Sequence, residues 1–183
     1  MNKRSIFLVG IVVAAAFARL TPHPPNVTPI AAMALFGGAC YRDRKLAYLL
    51  PLAAMFLSDL ILGFTRYDVR ILLGSQPVVY ACILATAGLG KLIGDRRSPL
   101  QVGAAALAGS LLFFVVTNFA VWLGGQVYPL TGSGLADCYV AAIPYFRNSV
   151  LGDMFFTTVL FGGLALLESR LAWMREDKTT VLA

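Results

Sequence analysis

Charge is what this sequence has least of. Among 183 residues there are 15 Lys and Arg, 9 Asp and Glu and a single His, so 13% of the chain is charged while 58% is hydrophobic. A soluble domain carries roughly 25% charged and about 45–50% apolar residues. The shortage leaves too little polar surface to cover a globule in water. High hydropathy with few charges also excludes an intrinsically disordered chain. Gly, at 17, and Pro, at 9, are too sparse and irregular for a fibrous repeat, and there is neither an internal repeat nor a low-complexity tract.

Chemistry-bearing motifs are missing as well. No G-x-x-x-x-G-K-[ST] loop, H-E-x-x-H or G-x-S-x-G occurs, so ATP-driven work would fall to another subunit. Cys40, Cys82 and Cys138 are odd in number and far apart, and they build neither a disulfide framework nor a C-x-x-C metal site. They read as small buried hydrophobes, with Cys138 alone on the outer side. No metal, no cofactor and no enzyme activity is expected, because the intramembrane carboxylates have no His or Lys near them in sequence to share acid–base work.

What is present is a succession of apolar runs. A membrane span takes about 20 such residues, so the chain reads as one all-α transmembrane domain, residues 1–183, with six helices. The first span runs from Arg4 to Leu20 and is followed by the proline-rich stretch Thr21–Pro29. A short segment, Ile30–Cys40, is too brief to cross unaided and is expected to be short or partly re-entrant. Further spans run over Leu46–Phe64, Ile71–Gly94 and Pro99–Gly125. A loop over Gln126–Asp137 and a short semi-polar segment Cys138–Asn148 precede the last span, Ser149–Trp173, and residues 174–183 form a short tail. The start, with Lys3, Arg4 and Ala16-Phe-Ala18, has the look of a cleavable signal peptide. Because the same composition continues to the end, it reads more simply as the first span.

With both termini inside, all of the 15 basic residues except Arg19, Arg66, Arg70 and Arg147 fall on the inner side, as the positive-inside rule requires. The net charge of +6 is then a topology signal facing anionic lipid, and no nucleic-acid partner is expected. Localisation to a bacterial inner (cytoplasmic) membrane follows from the resemblance given below.

Ionisable groups within a span are costly and mark function by default. Asp59 and Asp153 sit inside apolar runs, and with Asn118, Thr117, Ser75 and Gln76 they all map to the outer half. The inner halves are mostly Ala, Leu, Val, Ile and Gly, with few polar interruptions. This gradient predicts a cavity open outward and closed inward. The outer connections add Arg19, His23, Asn26, Arg66, Tyr67, Trp122, Tyr128, Tyr145, Arg147 and Asn148. Arginine offers a planar fork for carboxylate or phosphate and aromatics offer flat walls, a set suited to a small amphipathic solute bearing an anionic group. Each has a plainer role: the aromatics as an interfacial belt, Arg19 and Arg66 as structural partners of Asp59 or Asp153, His23 as a loop residue. On the first helix Gly10, Ala14 and Ala18 form a small-residue stripe fit for close helix packing, within the chain or with a partner membrane protein.

The segments Arg19–Gly38, Pro51–Gly63, Phe113–Trp122 and Tyr139–Asp153 resemble an uncharacterised family of small bacterial inner-membrane proteins, over nearly the whole chain. The layout is similar to the S components of energy-coupling-factor vitamin transporters. That resemblance implies six helices, inward termini, a pocket near the outer face, and a first-helix stripe that contacts a transmembrane coupling subunit driven by ATPases. The outer-half polar cluster, set on that layout, points to a substrate-binding subunit for uptake of a vitamin-like or cofactor-precursor solute, whose site would draw on Arg19, His23, Asn26, Asp59, Arg66, Asn118, Trp122, Tyr145, Arg147, Asn148 and Asp153. No signature for thiamine, riboflavin, biotin or cobalamin is present. A stand-alone facilitator, and a structural or assembly protein of the envelope whose polar residues only staple helices, are the other readings.

Overall fold

A computed structural model describes residues 3–65, 69–94 and 97–174. They form six helices and no strand: α1 (Lys3–Ala18), α2 (Ile30–Cys40), α3 (Arg44–Thr65), α4 (Val69–Ile93), α5 (Pro99–Leu123) and α6 (Gly132–Arg170), with a 3-10 turn at Ala172–Met174. Four helical stretches are long and apolar enough to cross a membrane, Arg44–Gly63, Gln76–Ile93, Pro99–Leu123 and Gly132–Arg170, the pattern of a multi-pass membrane protein. α1 and α2 are shorter, at 16 and 11 residues.

Local chemistry sets several helix ends. The Asp43 carboxylate accepts from the backbone N–H of Lys45 and Leu46, so α3 starts two residues before the apolar run expected from Leu46. Ser98 caps α5 with Pro99 in the first turn, and its hydroxyl accepts from Gln101 N–H. Thr131 caps α6 by accepting from Gly134 N–H. This last cap corrects the expected chain path. The loop placed over Gln126–Asp137 ends at Thr131, and the separate segment Cys138–Asn148 is part of a single 39-residue helix with Pro144 inside it. At 1.5 Å per residue this helix is about 58 Å long, nearly twice the hydrocarbon thickness of about 30 Å.

α2 is the axis of the fold. All its residues except Ala31 and Ala39 are buried, and it is packed against α1, α3, α4, α5 and α6. A helix apolar on every side belongs in the middle of a bundle, which is how 11 residues too short to span find a stable place. Glycine lets α2 and α4 touch backbone to backbone: a Cβ on Gly38 would run into the Ala87 carbonyl, and one on Gly90 into the Leu35 carbonyl. The outer faces carry Leu49, Phe56, Leu60, Leu107, Leu111 and Phe155, all exposed, as a lipid-facing surface requires.

The start of α1, the end of α6 and the turn after it lie together. Arg4 donates to the Met174 carbonyl at 3.0 Å and meets Glu168 Oε1 at 3.3 Å, while Arg97 reaches the same oxygen at 3.4 Å. Lys91 donates to the Tyr41 carbonyl at 2.7 Å. This end of the bundle is thus closed by paired charges and capped carbonyls, and the polar residues of the helix interiors lie toward the other.

Candidate functional site

At that other end a cavity of about 170 Å³ is walled by five helices and the connection between α1 and α2. Its apolar walls are Ile30 and Ala31 of α2, Met55 of α3, Val79 and Ile83 of α4, and Phe113 of α5. Its polar groups are Arg19, Asn26 and Thr28 of the connection, Cys82 and Thr86 of α4, and Ser149 and Asp153 of α6. A second cavity of about 120 Å³ adjoins it, sharing Asn26, Phe113 and Ser149 and extending to Thr117, Asn118, Tyr145 and Phe146.

The connecting segment is held over the cavity by specific contacts. Asn26 has a φ of +64°, a left-handed conformation that Asn tolerates better than most side chains. Asn148 donates to the Pro25 carbonyl at 3.1 Å. Gly152 leaves room for Val27, whose Cα would lie 3.1 Å from a Cβ at that position. α6 therefore supplies both the anchor for the segment and, through Ser149 and Asp153, one wall beneath it.

The two charged groups facing the cavity have different surroundings. Arg19 is already engaged: one guanidinium nitrogen lies 2.6 Å from Asp59 Oδ1 and another donates to Ser58 Oγ at 2.5 Å, with both side chains of the ion pair nearly buried. The structure thus gives Arg19 the plainer of its two expected roles, as partner of Asp59. Asp153 is buried at 6% exposure, and its Oδ2 accepts from the Ser110 hydroxyl at 2.6 Å. Among the described residues no cation lies against it. Asp59 Oδ2, Gln76 Oε1 and Thr157 Oγ1 are buried without a hydrogen-bond partner, as is the Tyr41 hydroxyl, whose residue belongs to the opposite end.

The remaining sequence-derived candidates divide clearly. Asn26 stands between the two cavities, and Asn118 and Tyr145 line the second, although Asn118 donates back to the Phe114 carbonyl of its own helix at 2.7 Å. Asp59 acts through Arg19, and Asn148 through Pro25. His23 is exposed, with its ring nitrogens 3.0 and 3.2 Å from the Pro24 and Arg19 carbonyls, so it orders the connection and does not line the cavity. Trp122 donates to the Pro129 carbonyl at 3.1 Å and braces the turn between α5 and α6. Arg147 is exposed and lines neither cavity. Arg66, Tyr67 and the tail beyond Met174 lie outside the described residues. Gly10 and Ala14 are exposed and a Cβ on Gly10 would meet nothing within 4 Å, so the stripe faces away from the bundle, whose side of α1 is formed by Leu8 and Val12.

Sequence reasoning missed Thr28, Thr86, Ser110 and Phe113 as site residues. Lone hydroxyls in apolar runs were the available signal for Thr86 and Ser110. It is a weak one, because both also lie within hydrogen-bond reach of the carbonyl one turn earlier in their own helix. Phe113 carries no signal that separates a cavity wall from a core or lipid-facing ring.

The three cysteines are free and buried, and among the described residues no three His, Cys, Asp or Glu cluster in a way that could hold a metal. In comparisons with known proteins, residues 1–176 match a family described as a family of unknown function, DUF6580. No curated protein and no solved structure matches the chain.

Proposed function

The chain belongs to that family of unknown function, and from this premise we propose that it is a solute-binding membrane protein whose site is the cavity beneath the α1–α2 connection. One observation carries the reading: a space of about 170 Å³ in the interior, mostly apolar in its walls, with the buried Asp153, three hydroxyl residues and the amide of Asn26 among its lining residues. Pockets of mostly apolar wall with a few convergent polar groups are the usual form of small-molecule sites.

In this reading the protein is a bacterial inner-membrane subunit, similar to the S components of energy-coupling-factor transporters, that captures a vitamin-like or cofactor-precursor solute from outside. Three features support it. The cavity lies at the end opposite the Arg4–Glu168–Arg97 cluster, so an outward site and inward termini go together. α2 and the five helices around it make a six-helix bundle whose cavity lies away from the charged cluster that closes its other end. The outward face of α1, with Gly10 and Ala14 exposed and Ala18 half-buried, is open to take a coupling subunit with its ATPases.

The test is direct. The full chain, purified in mild detergent, is expected to release a small molecule detectable by mass spectrometry, or to melt at a higher temperature with a member of a vitamin and precursor library. A protein that carries no small molecule and responds to no library member is not a solute carrier. For docking, Ala14→Leu is expected to abolish co-purification with a coupling subunit while leaving the melting temperature unchanged; undiminished co-purification removes that part of the reading.

A further inference from the structure

The Arg fork was the sequence's reason to expect an anionic solute, and the tertiary structure neutralises it. Arg19 and Asp59 form a buried pair of zero net charge, with Ser58 taking a further guanidinium nitrogen. The titratable groups that line the main cavity are then Arg19, already paired, the Cys82 thiol, and Asp153. Asp153 has a hydroxyl from Ser110 for company and no basic partner among the described residues. Removing an ionised carboxylate from water without a counter-charge is strongly unfavourable, so such a group either holds its proton or takes a counter-charge from a ligand.

We infer that the cavity takes a small organic cation, an ammonium group on an apolar body, with Asp153 as its counter-ion. This rests on the reading of the cavity as a solute site and narrows its substrate class. Ser110 orients the carboxylate, leaving Oδ1 for the ligand. The face of Phe113 attracts a cation and its edge packs against hydrocarbon, and Ile30, Ala31, Val79 and Ile83 surround the body. Thr28 and Ser149 offer oxygen acceptors for the remaining N–H donors. An anionic solute would instead approach an unshielded carboxylate of like charge while the Arg19 fork is already filled.

Three probes with one aromatic body separate the possibilities: 2-phenylethylamine, 2-phenylethanol and 3-phenylpropanoate, added to the detergent-purified full chain and followed by thermal shift and calorimetry. The ammonium probe is expected to bind at least about tenfold more tightly than the alcohol, with no binding of the carboxylate. Asp153→Asn is expected to erase the preference for the ammonium over the alcohol; the wild-type series stands alone if that variant does not fold. Equal binding of ammonium and alcohol, or tighter binding of the carboxylate, overturns the cation assignment and leaves a solute site in place. No binding of any probe also overturns it, and whether a solute site exists at all is then decided by the mass-spectrometric test above.

Discussion

Single residues at this site are either paired with one another or turned toward the cavity, and substitution separates the two. Arg19 and Asp59 are a buried pair, so Arg19→Ala leaves a carboxylate without its counter-charge and is expected to destabilise the protein by about 3–5 kcal/mol. The double variant Arg19→Met with Asp59→Leu is expected to lose markedly less, since apolar replacements of a buried pair remove both desolvation costs together. Denaturant unfolding in mixed micelles reads both, and a double variant as unstable as the single would show that the pair contributes more than mutual neutralisation. Ser110→Ala deletes the donor to Asp153 Oδ2 and is expected to cost about 1–3 kcal/mol by the same assay. Asp59 and Asp153 were legible in the sequence as candidates, because an Asp inside an apolar run stands out from its neighbours. Which of them is neutralised depends on a partner 40 residues away in the chain, Arg19 for Asp59, and spacing along the chain does not carry that information.

Elements show the same division between what a linear pattern carries and what packing decides. The bounds Ile30–Cys40 for α2 were legible because Pro29 precedes it and charged residues follow; its position at the centre of the bundle was not. Gly38 and Gly90 make that position possible. Gly38→Leu or Gly90→Leu would force side chains into the facing carbonyl groups, and loss of folded, monodisperse protein in size-exclusion chromatography is expected. Gly10→Leu, on the open face of α1, is expected to leave the melting temperature unchanged. α6 was read as loop, segment and span because Asp137, Arg147 and Asn148 interrupt its hydropathy and Pro144 is a helix breaker. Yet the cost of one proline, a lost hydrogen bond and a ring clash worth about 3 kcal/mol, is offset because α6 is packed on α5 on both sides of it, with the Tyr139 hydroxyl donating to the Val115 carbonyl at 2.7 Å and Phe114 in ring contact with Tyr139 and Phe146. Gly152→Leu is expected to lift the α1–α2 connection from α6, speeding maleimide labelling of Cys82 in the cavity wall, with Cys40 and Cys138 replaced by Ala. Unchanged labelling would mean that the connection does not control access.

For the whole molecule, the arrangement of ends is the property with the widest consequence. Arg4, Arg97 and Glu168 fix the start of α1 and the end of α6 on one side, and the turn before α6 lies at the opposite end of the bundle. In a background without the native cysteines, a membrane-impermeant maleimide applied to intact cells is expected to modify Leu130→Cys and to leave Ser169→Cys untouched until the membrane is opened. Labelling of both from the same side would contradict the alignment of the bundle across the bilayer. The reverse result, Ser169→Cys labelled and Leu130→Cys protected, would place the cavity toward the cytoplasm.

By itself the sequence determined the solvent and the class of fold, because the ratio of apolar to charged residues and the lengths of the apolar runs are one-dimensional quantities that the bilayer reads directly. It also singled out Asp59 and Asp153, since an acidic residue inside an apolar run is visible along the chain alone. Tertiary structure alone decided which charges cancel, which hydroxyl groups face a cavity, and which short helix becomes the core. Those outcomes follow from short-range contacts between segments far apart in the chain, where a few ångströms separate an ion pair from a carboxylate left for a ligand.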